Sequence, residues 1–151
     1  MTSKVNPSEK GQKVAVILVR GWVKLPQPIE DTLIMLKLNR KNHCVILENT
    51  SVNLGMINKV KDYVTWGEIQ DLTFKELVEK RGEEYKGRLT DSGENYHYKV
   101  LELNGKQYKS YFRLNPPQKG FGRKGIKVSF KVGGALGYRA EKINDLIKRM
   151  L

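Results

Sequence analysis

The apolar positions of this chain change period several times, and each change marks an element. Lys13–Arg20 (KVAVILVR) carries six consecutive apolar residues, Val14–Val19, is rich in β-branched side chains and is stopped by Gly21. That run predicts a buried strand. Trp22–Pro28 holds two prolines and reads as a loop. After Pro28 the period lengthens: Ile29, Leu33 and Leu36 fall on one face of a helix reaching to about Leu38. Glu30 and Asp31 lie in its first turn, where carboxylates suit the helix dipole. Asn39–Asn42 is a basic turn and His43–Glu48 (HCVILE) a second strand. Thr50, Ser51 and Asn53 offer caps for a second helix, about Leu54–Asp62, with Met56, Ile57, Val60 and Tyr63 on its apolar side. Tyr63–Trp66 then reads as a short third strand. The first half is β-α-β-α-β.

The second half has sharper punctuation. Leu72–Gly82 reads as a helix in which Thr73 and Glu76 make a capping box, Leu72 and Leu77 a hydrophobic staple, and Gly82 the C′ residue. Arg88–Asn95 is polar and turn-rich. A hairpin is predicted from Tyr96–Leu103 and Lys106–Leu114 around Asn104-Gly105, a dipeptide suited to a type I′ turn. Pro116-Pro117 ends its second strand. Gln118–Tyr138 is rich in glycine and cations, with an extended piece at about Ile126–Val132. A helix at about Ala140–Met150 follows. It carries Ile143, Ile147 and Met150 on one face, acids early and Lys148 and Arg149 late.

Composition narrows the function. The chain has 151 residues, 28 Lys+Arg and 16 Asp+Glu, for a formal charge of +12. The longest apolar run, six residues, is far short of the roughly 18 that a membrane span needs. The polar start, MTSKVNPSEKG, carries no apolar signal segment. Cys44 is the only cysteine, which excludes an internal disulfide and a cysteine-based metal cage. These features predict a cytoplasmic protein attracted to polyanions, with no membrane partner. The charge is also localised. Residues 106–151 hold twelve Lys/Arg against Glu141 and Asp145, whereas residues 1–105 hold sixteen basic and fourteen acidic groups.

Catalytic chemistry finds little support. His43 and His97 lack a paired ligand spacing, and His43 and Cys44, adjacent in a strand, point to opposite faces. They read as a surface-facing histidine beside a half-buried thiol. Glu30-Asp31 and Glu83-Glu84 read as dipole complement and solvation. Gly120–Gly125 (GFGRKG) matches G-x-G-x-x-G by letter. It follows Asn115-Pro116-Pro117 and precedes a strand-like stretch, the wrong order for a dinucleotide site. The chain is therefore read as a non-enzyme, without cofactor, metal or small-molecule substrate.

The basic segment itself remains. Between Arg113 and Arg139 lie Lys119, Arg123, Lys124, Lys127 and Lys131, no acid, and glycines at 120, 122, 125, 133, 134 and 137. Glycine lets backbone approach phosphates, and Lys and Arg neutralise them with counterion release. Phe121, Tyr138 and Phe130 are candidate stacking rings. A segment so basic is expected to order only on a polyanion, with fast amide exchange over 115–139 when free. Arg20 and Lys24, Arg40 and Lys41, and Lys59 and Lys61 form a second basic set in the first half. Sequence does not say whether they converge.

Thr32–Val45 (TLIMLKLNRKNHCV), followed by Met56–Val64 (MINKVKDYV), resembles the signature of the ribosomal protein family called L-thirty in bacteria and L-seven in eukaryotes. FRLNPPQKG, GGALGYR and INDLIKRML resemble the extension of its archaeal and eukaryotic members. Gln118-Lys119-Gly120 replaces the family's usual Arg-Gly-Gly, Ala140 replaces a frequent glycine, and 71–111 does not match. The resemblance implies an α+β fold, with a three-stranded antiparallel sheet packed on two helices, ferredoxin-like in part, and a basic C-terminal extension ending in a helix. It divides the chain into a tail (1–12), a core (13–70), a variable helix and hairpin region (71–111) and a basic loop with helix (112–151). It implies a structural role in the large ribosomal subunit, with large-subunit (23S-type) rRNA and neighbouring ribosomal proteins as partners and the 5S rRNA region nearby. By position it carries over Arg20, Arg40, Lys41, Asn42, Gly55, Lys59, Arg113, Gly133, Gly134, Gly137 and Arg139. Lys24, Lys119, Gly120, Phe121, Arg123, Lys124, Lys127, Lys131 and Tyr138 complete the expected RNA-binding set. A free RNA chaperone with the same electrostatics is the alternative, and co-sedimentation with large subunits after a high-salt wash separates the two.

Overall fold

Leu18 and its five predecessors hold the centre of the molecule. The structure, a computed structural model, describes residues 12–98 and 100–151; the expected tail lies outside them apart from Gln12. β1 (Lys13–Leu18) is hydrogen-bonded on both sides. It runs antiparallel to β2 (His43–Glu48) and antiparallel to β3 (Val64–Glu68). β2 and β3 are therefore parallel to each other with β1 between them. α1 (Gln27–Met35) joins β1 to β2 and α2 (Ser51–Lys59) joins β2 to β3, the split β-α-β arrangement of ferredoxin-like folds.

Side chains of β1 alternate between two cores. Val14, Val16 and Leu18 meet Leu33 and Leu36 from the α1 segment and Ile57 and Val60 from the α2 segment. Ala15 and Ile17 meet Phe74, Leu77 and Val78 of α3 (Asp71–Arg81) and Ile143, Leu146, Ile147 and Met150 of α4 (Ile143–Met150). Burial of one such aliphatic side chain is worth about 1.5–3 kcal/mol. A strand covered on both faces gains that at every position, so the run has no polar alternation. The sheet is wider than the three strands expected. β4 (Leu101–Leu103) and β5 (Lys106–Tyr108) form a separate hairpin, while β6 (Tyr111–Arg113) and β7 (Gly137–Tyr138) join the main sheet in the order β6-β2-β1-β3-β7.

Several boundaries differ from the sequence reading. α1 stops at Met35, because Lys37 turns into the left-handed region (φ +61°). α2 starts at Ser51 rather than Leu54, with the Thr50 hydroxyl accepting from the Asn53 amide. α3 starts at Asp71, so Thr73 lies inside the first turn, buried, and forms no capping box; Leu72 is exposed and forms no staple. The Gln70 amide at that start is bonded instead by the Asn144 side chain of α4. Gly82 ends α3 with φ −65°, not a left-handed turn; a Cβ there would lie 2.4 Å from the Val78 carbonyl oxygen.

The Asn104-Gly105 turn forms as expected, with φ +51° and +76° and Leu103 facing Lys106. Its strands are three residues each, and the predicted strand 106–114 divides. Tyr111–Arg113 leaves the hairpin and pairs with β2, which buries Phe112 beside Cys44 in the core. An isolated hairpin offers no such site. The extended piece expected at 126–132 is a turn with a 3-10 helix at Phe130–Val132. Gly133 (φ +101°) reverses the chain so that the Gly134, Ala135 and Leu136 amides bond back to Ser129 and Val128. The last helix opens with a 3-10 turn at Ala140–Lys142.

Ala140 itself has φ +52°. A left-handed non-glycine residue costs about 1–2 kcal/mol, partly offset by the entropy that glycine loses on folding. Ala140→Gly is expected to raise stability by about 0.5–1 kcal/mol in urea unfolding; an unchanged or lower midpoint would contradict it.

Candidate nucleic-acid interface

One end of the sheet gathers most of the basic segments. β1 and β6 finish there; β2, β3 and β7 begin there. Backbone hydrogen bonds tie the connections together. The Asn42 amide donates to Leu18 O (2.8 Å), the Val19 and Arg20 amides to Tyr63 O (3.0 and 3.2 Å), and the Leu114 amide to Asn42 O (3.2 Å). Val19 packs on Ala135 and Leu136, with Phe121 and Ile126 against them, so the basic loop is fastened to the same end. The convergence that sequence left open is thus set by topology. Arg20 and Lys24 follow β1, Arg40, Lys41 and Asn42 precede β2, Lys59 and Lys61 precede β3, Arg113 ends β6, and Lys119–Lys131 precede β7. Gly55 lies exposed in the middle of α2, four residues before Lys59.

Backbone hydrogen bonds fold the loop back on itself. The Lys124 amide bonds Gly133 O, Phe130 bonds Leu136 O, and the Arg139 amide bonds Trp66 O. Two of its glycines serve this packing rather than phosphate approach. A Cβ on Gly122 would lie 2.4 Å from Gly134 O, and one on Gly134 2.1 Å from Val128 O. Gly134 is buried, Gly137 is partly buried, and Gly120 and Gly133 are exposed.

Arg139 is buried, against the expectation of a phosphate contact. Its guanidinium donates to Thr65 Oγ1 (2.8 Å), Phe121 O (2.8 Å) and Ala135 O (3.1 Å) and lies 4.7 Å from the Phe130 ring centre. Burial lowers its pKa to about 10, which leaves it protonated at neutral pH. Phe121 is half-buried in the core, and Tyr138 leans on Trp66 while its hydroxyl donates to Glu68 Oε1 (2.5 Å). Burial, together with that carboxylate, raises the Tyr138 pKa and keeps the phenol protonated. These two rings are therefore engaged inside the protein. Lys24, Arg40, Lys41, Lys59, Lys119, Arg123, Lys124, Lys127 and Lys131 are exposed cations.

Sequence reasoning missed two polar devices here. Glu83, set aside as solvation, accepts from Arg113 (2.6 Å) and Lys109 (2.9 Å), and these cations lower its pKa. Arg149, read only as a dipole complement, donates to Gln118 O (2.9 Å) and Gly120 O (2.6 Å) while bonding Asp145 (3.1 Å). It holds the turn in which Lys119 (φ +64°) and Gly120 (φ +74°) lie. Both devices join residues 26 to 31 positions apart, so no local spacing marks them.

His43 also differs from expectation. It is buried, with its ring stacked on Tyr111 at 5.3 Å, because β6 covers the edge of β2. Burial first, then Arg113 and Arg40, lower its pKa. Cys44 is wholly buried, which pushes its thiol up to about 12 and leaves it inert. Electrostatically, the sheet end is a cationic surface carried on hydrogen-bonded turns, an arrangement that suits a polyanion.

A sequence profile of ribosomal protein L30p/L7e matches residues 14–64. Large ribosomal subunit protein uL30 of Nanoarchaeum equitans is 46% identical, across 91% of this chain and 97% of its own length. The protein of the same name from Methanopyrus kandleri is 44% identical, across 88% and 100%. That from Methanococcus maripaludis is 46% identical, across 91% and 98%.

Proposed function

This chain belongs to the L30p/L7e family of ribosomal proteins, and from that premise we propose that it is a non-catalytic component of the cytoplasmic large ribosomal subunit that grips large-subunit rRNA with the basic end of its sheet. The convergence of four basic connections, at five strand ends, on that side of the sheet carries the reading. Exposed Lys and Arg side chains there match a phosphate backbone and carry little base information, so contacts are to backbone and shape. The 23S-type rRNA is the intended ligand, with the 5S region close by.

A salt titration tests this. Binding to a large-subunit rRNA fragment is expected to weaken by about 10³–10⁵-fold between 50 and 200 mM salt if roughly six to ten phosphates are engaged. A nearly flat titration would overturn the reading. Release of the chain from large subunits by a mild salt wash would favour a free RNA-binding role instead.

A further inference from the structure

Glu83 places an acid beside Arg113, one of the cations at the basic end of the sheet, and the backbone around it fixes it there. Gly82, just before it, leaves no room for a Cβ between Val78 O and the Tyr108 ring. The Lys109 amide donates to Glu83 O (2.8 Å), the Tyr85 amide donates to Gln107 O (2.8 Å), and Glu84 bridges Tyr108. The chain leaving α3 is thereby strapped along the chain that enters β6, with the Glu83 carboxylate between them.

That carboxylate divides its two oxygens between two cations. Oε1 accepts from Arg113 Nε (2.6 Å) and also meets its Nη2, while Oε2 accepts from Lys109 Nζ (2.9 Å). The order of exposure is informative: the Glu83 side chain is 28% exposed, Lys109 37% and Arg113 62%. The anion lies beneath and the cations outside, so a ligand arriving from solvent meets the cations first. Arg113 keeps its Nη1 donors for that ligand, and Lys109 keeps two of its three donors. Arg113 is also continuous with the basic turn that carries Arg40 and Lys41. It faces His43 in the β2–β6 register, and the Leu114 amide beside it donates to Asn42 O. A long cationic side chain loses rotamer freedom when it docks on a phosphate, and that loss weakens binding. A fixed carboxylate that already confines both side chains removes part of the loss.

We propose that Glu83 is a positioning residue, which holds Arg113 and Lys109 as a preset pair of cations for the phosphate backbone of the bound RNA. Lys109, which the sequence did not single out, thereby joins the interface. The inference rests on the rRNA-binding reading above. It is tested by titrating the large-subunit rRNA fragment against the parent chain and Glu83→Gln over a range of salt. By charge alone, removing an anion from a surface that meets a polyanion tightens binding. Positioning predicts the reverse, a loss of about threefold to tenfold. Lys109→Ala/Arg113→Ala is expected to make the slope of log affinity against log salt shallower by roughly one to two units, which a role in the fold alone would not do. In that doubly substituted chain, Glu83→Gln is expected to change affinity by less than about twofold, since nothing is left to position. Unchanged or tighter binding by Glu83→Gln, a loss that persists in the doubly substituted chain, or a slope that the two alanines leave unmoved would overturn the positioning role. In each of those cases the parent's own salt-dependent binding keeps the RNA reading standing. A flat titration of the parent would remove both.

Discussion

Alanine at Arg123, Lys124, Lys127 and Lys131 together is expected to weaken rRNA binding by about a thousandfold at 0.15 M salt. Each phosphate neutralised releases close to one counterion, which at that ionic strength is worth about 1 kcal/mol, and four such contacts compound. The slope of log affinity against log salt should become shallower by roughly three to four units in the same titration. The four side chains are exposed, and alanine leaves the Lys124–Gly133 backbone bond in place. The urea midpoint is therefore expected to stay within about 0.5 kcal/mol of the parent. Loss of affinity with an unchanged slope would mean that these cations do not meet phosphates.

Arg139→Leu is expected to act in the opposite way, on stability first. It removes a buried guanidinium and leaves the Phe121 and Ala135 carbonyl oxygens without the partner described above. An orphaned buried acceptor costs about 1–3 kcal/mol, so the total should reach about 3–5 kcal/mol. That corresponds to a fall in Tm of roughly 10 °C or more for a chain of this size. Arg139→Lys should restore less than half, because one ammonium cannot reproduce a planar fork aimed at three acceptors. Were Arg139 a phosphate contact, the lysine variant would keep both its Tm and most of its affinity.

The two variants mark where sequence was readable. Val14–Val19 announced a buried strand because nothing polar interrupted it, and the structure covers it on both sides. Asn104-Gly105 announced its turn because positive φ at two successive positions restricts residue choice so strongly. The L-thirty-like signature supplied the family and the kind of partner. The basic loop was the hardest segment to read, since glycine and lysine look the same in sequence whether they line a phosphate or pack the backbone on itself. Only the approach of Gly122 to Gly134 and of Gly134 to Val128 separates the two. Arg139 misled for a related reason: its acceptors lie at Thr65, Phe121 and Ala135, and no local spacing encodes a contact across 74 residues. Phe112 and Leu114 could be read as strand residues, but not as leaving one sheet for another.

The double cover of β1 has a consequence for how the chain must be made. A ribosome adds Ala15 and Ile17 early, whereas Ile143, Leu146, Ile147 and Met150, which close over their face of the strand, come more than a hundred residues later. Vectorial folding can complete the α1/α2 side during synthesis, yet the other side has only α3 to cover it until α4 has emerged. A nascent chain stalled before Ile143 would carry the sheet with one apolar face only partly covered, by α3 alone, a species recognisable by its affinity for holdases and by its inability to pass as finished protein.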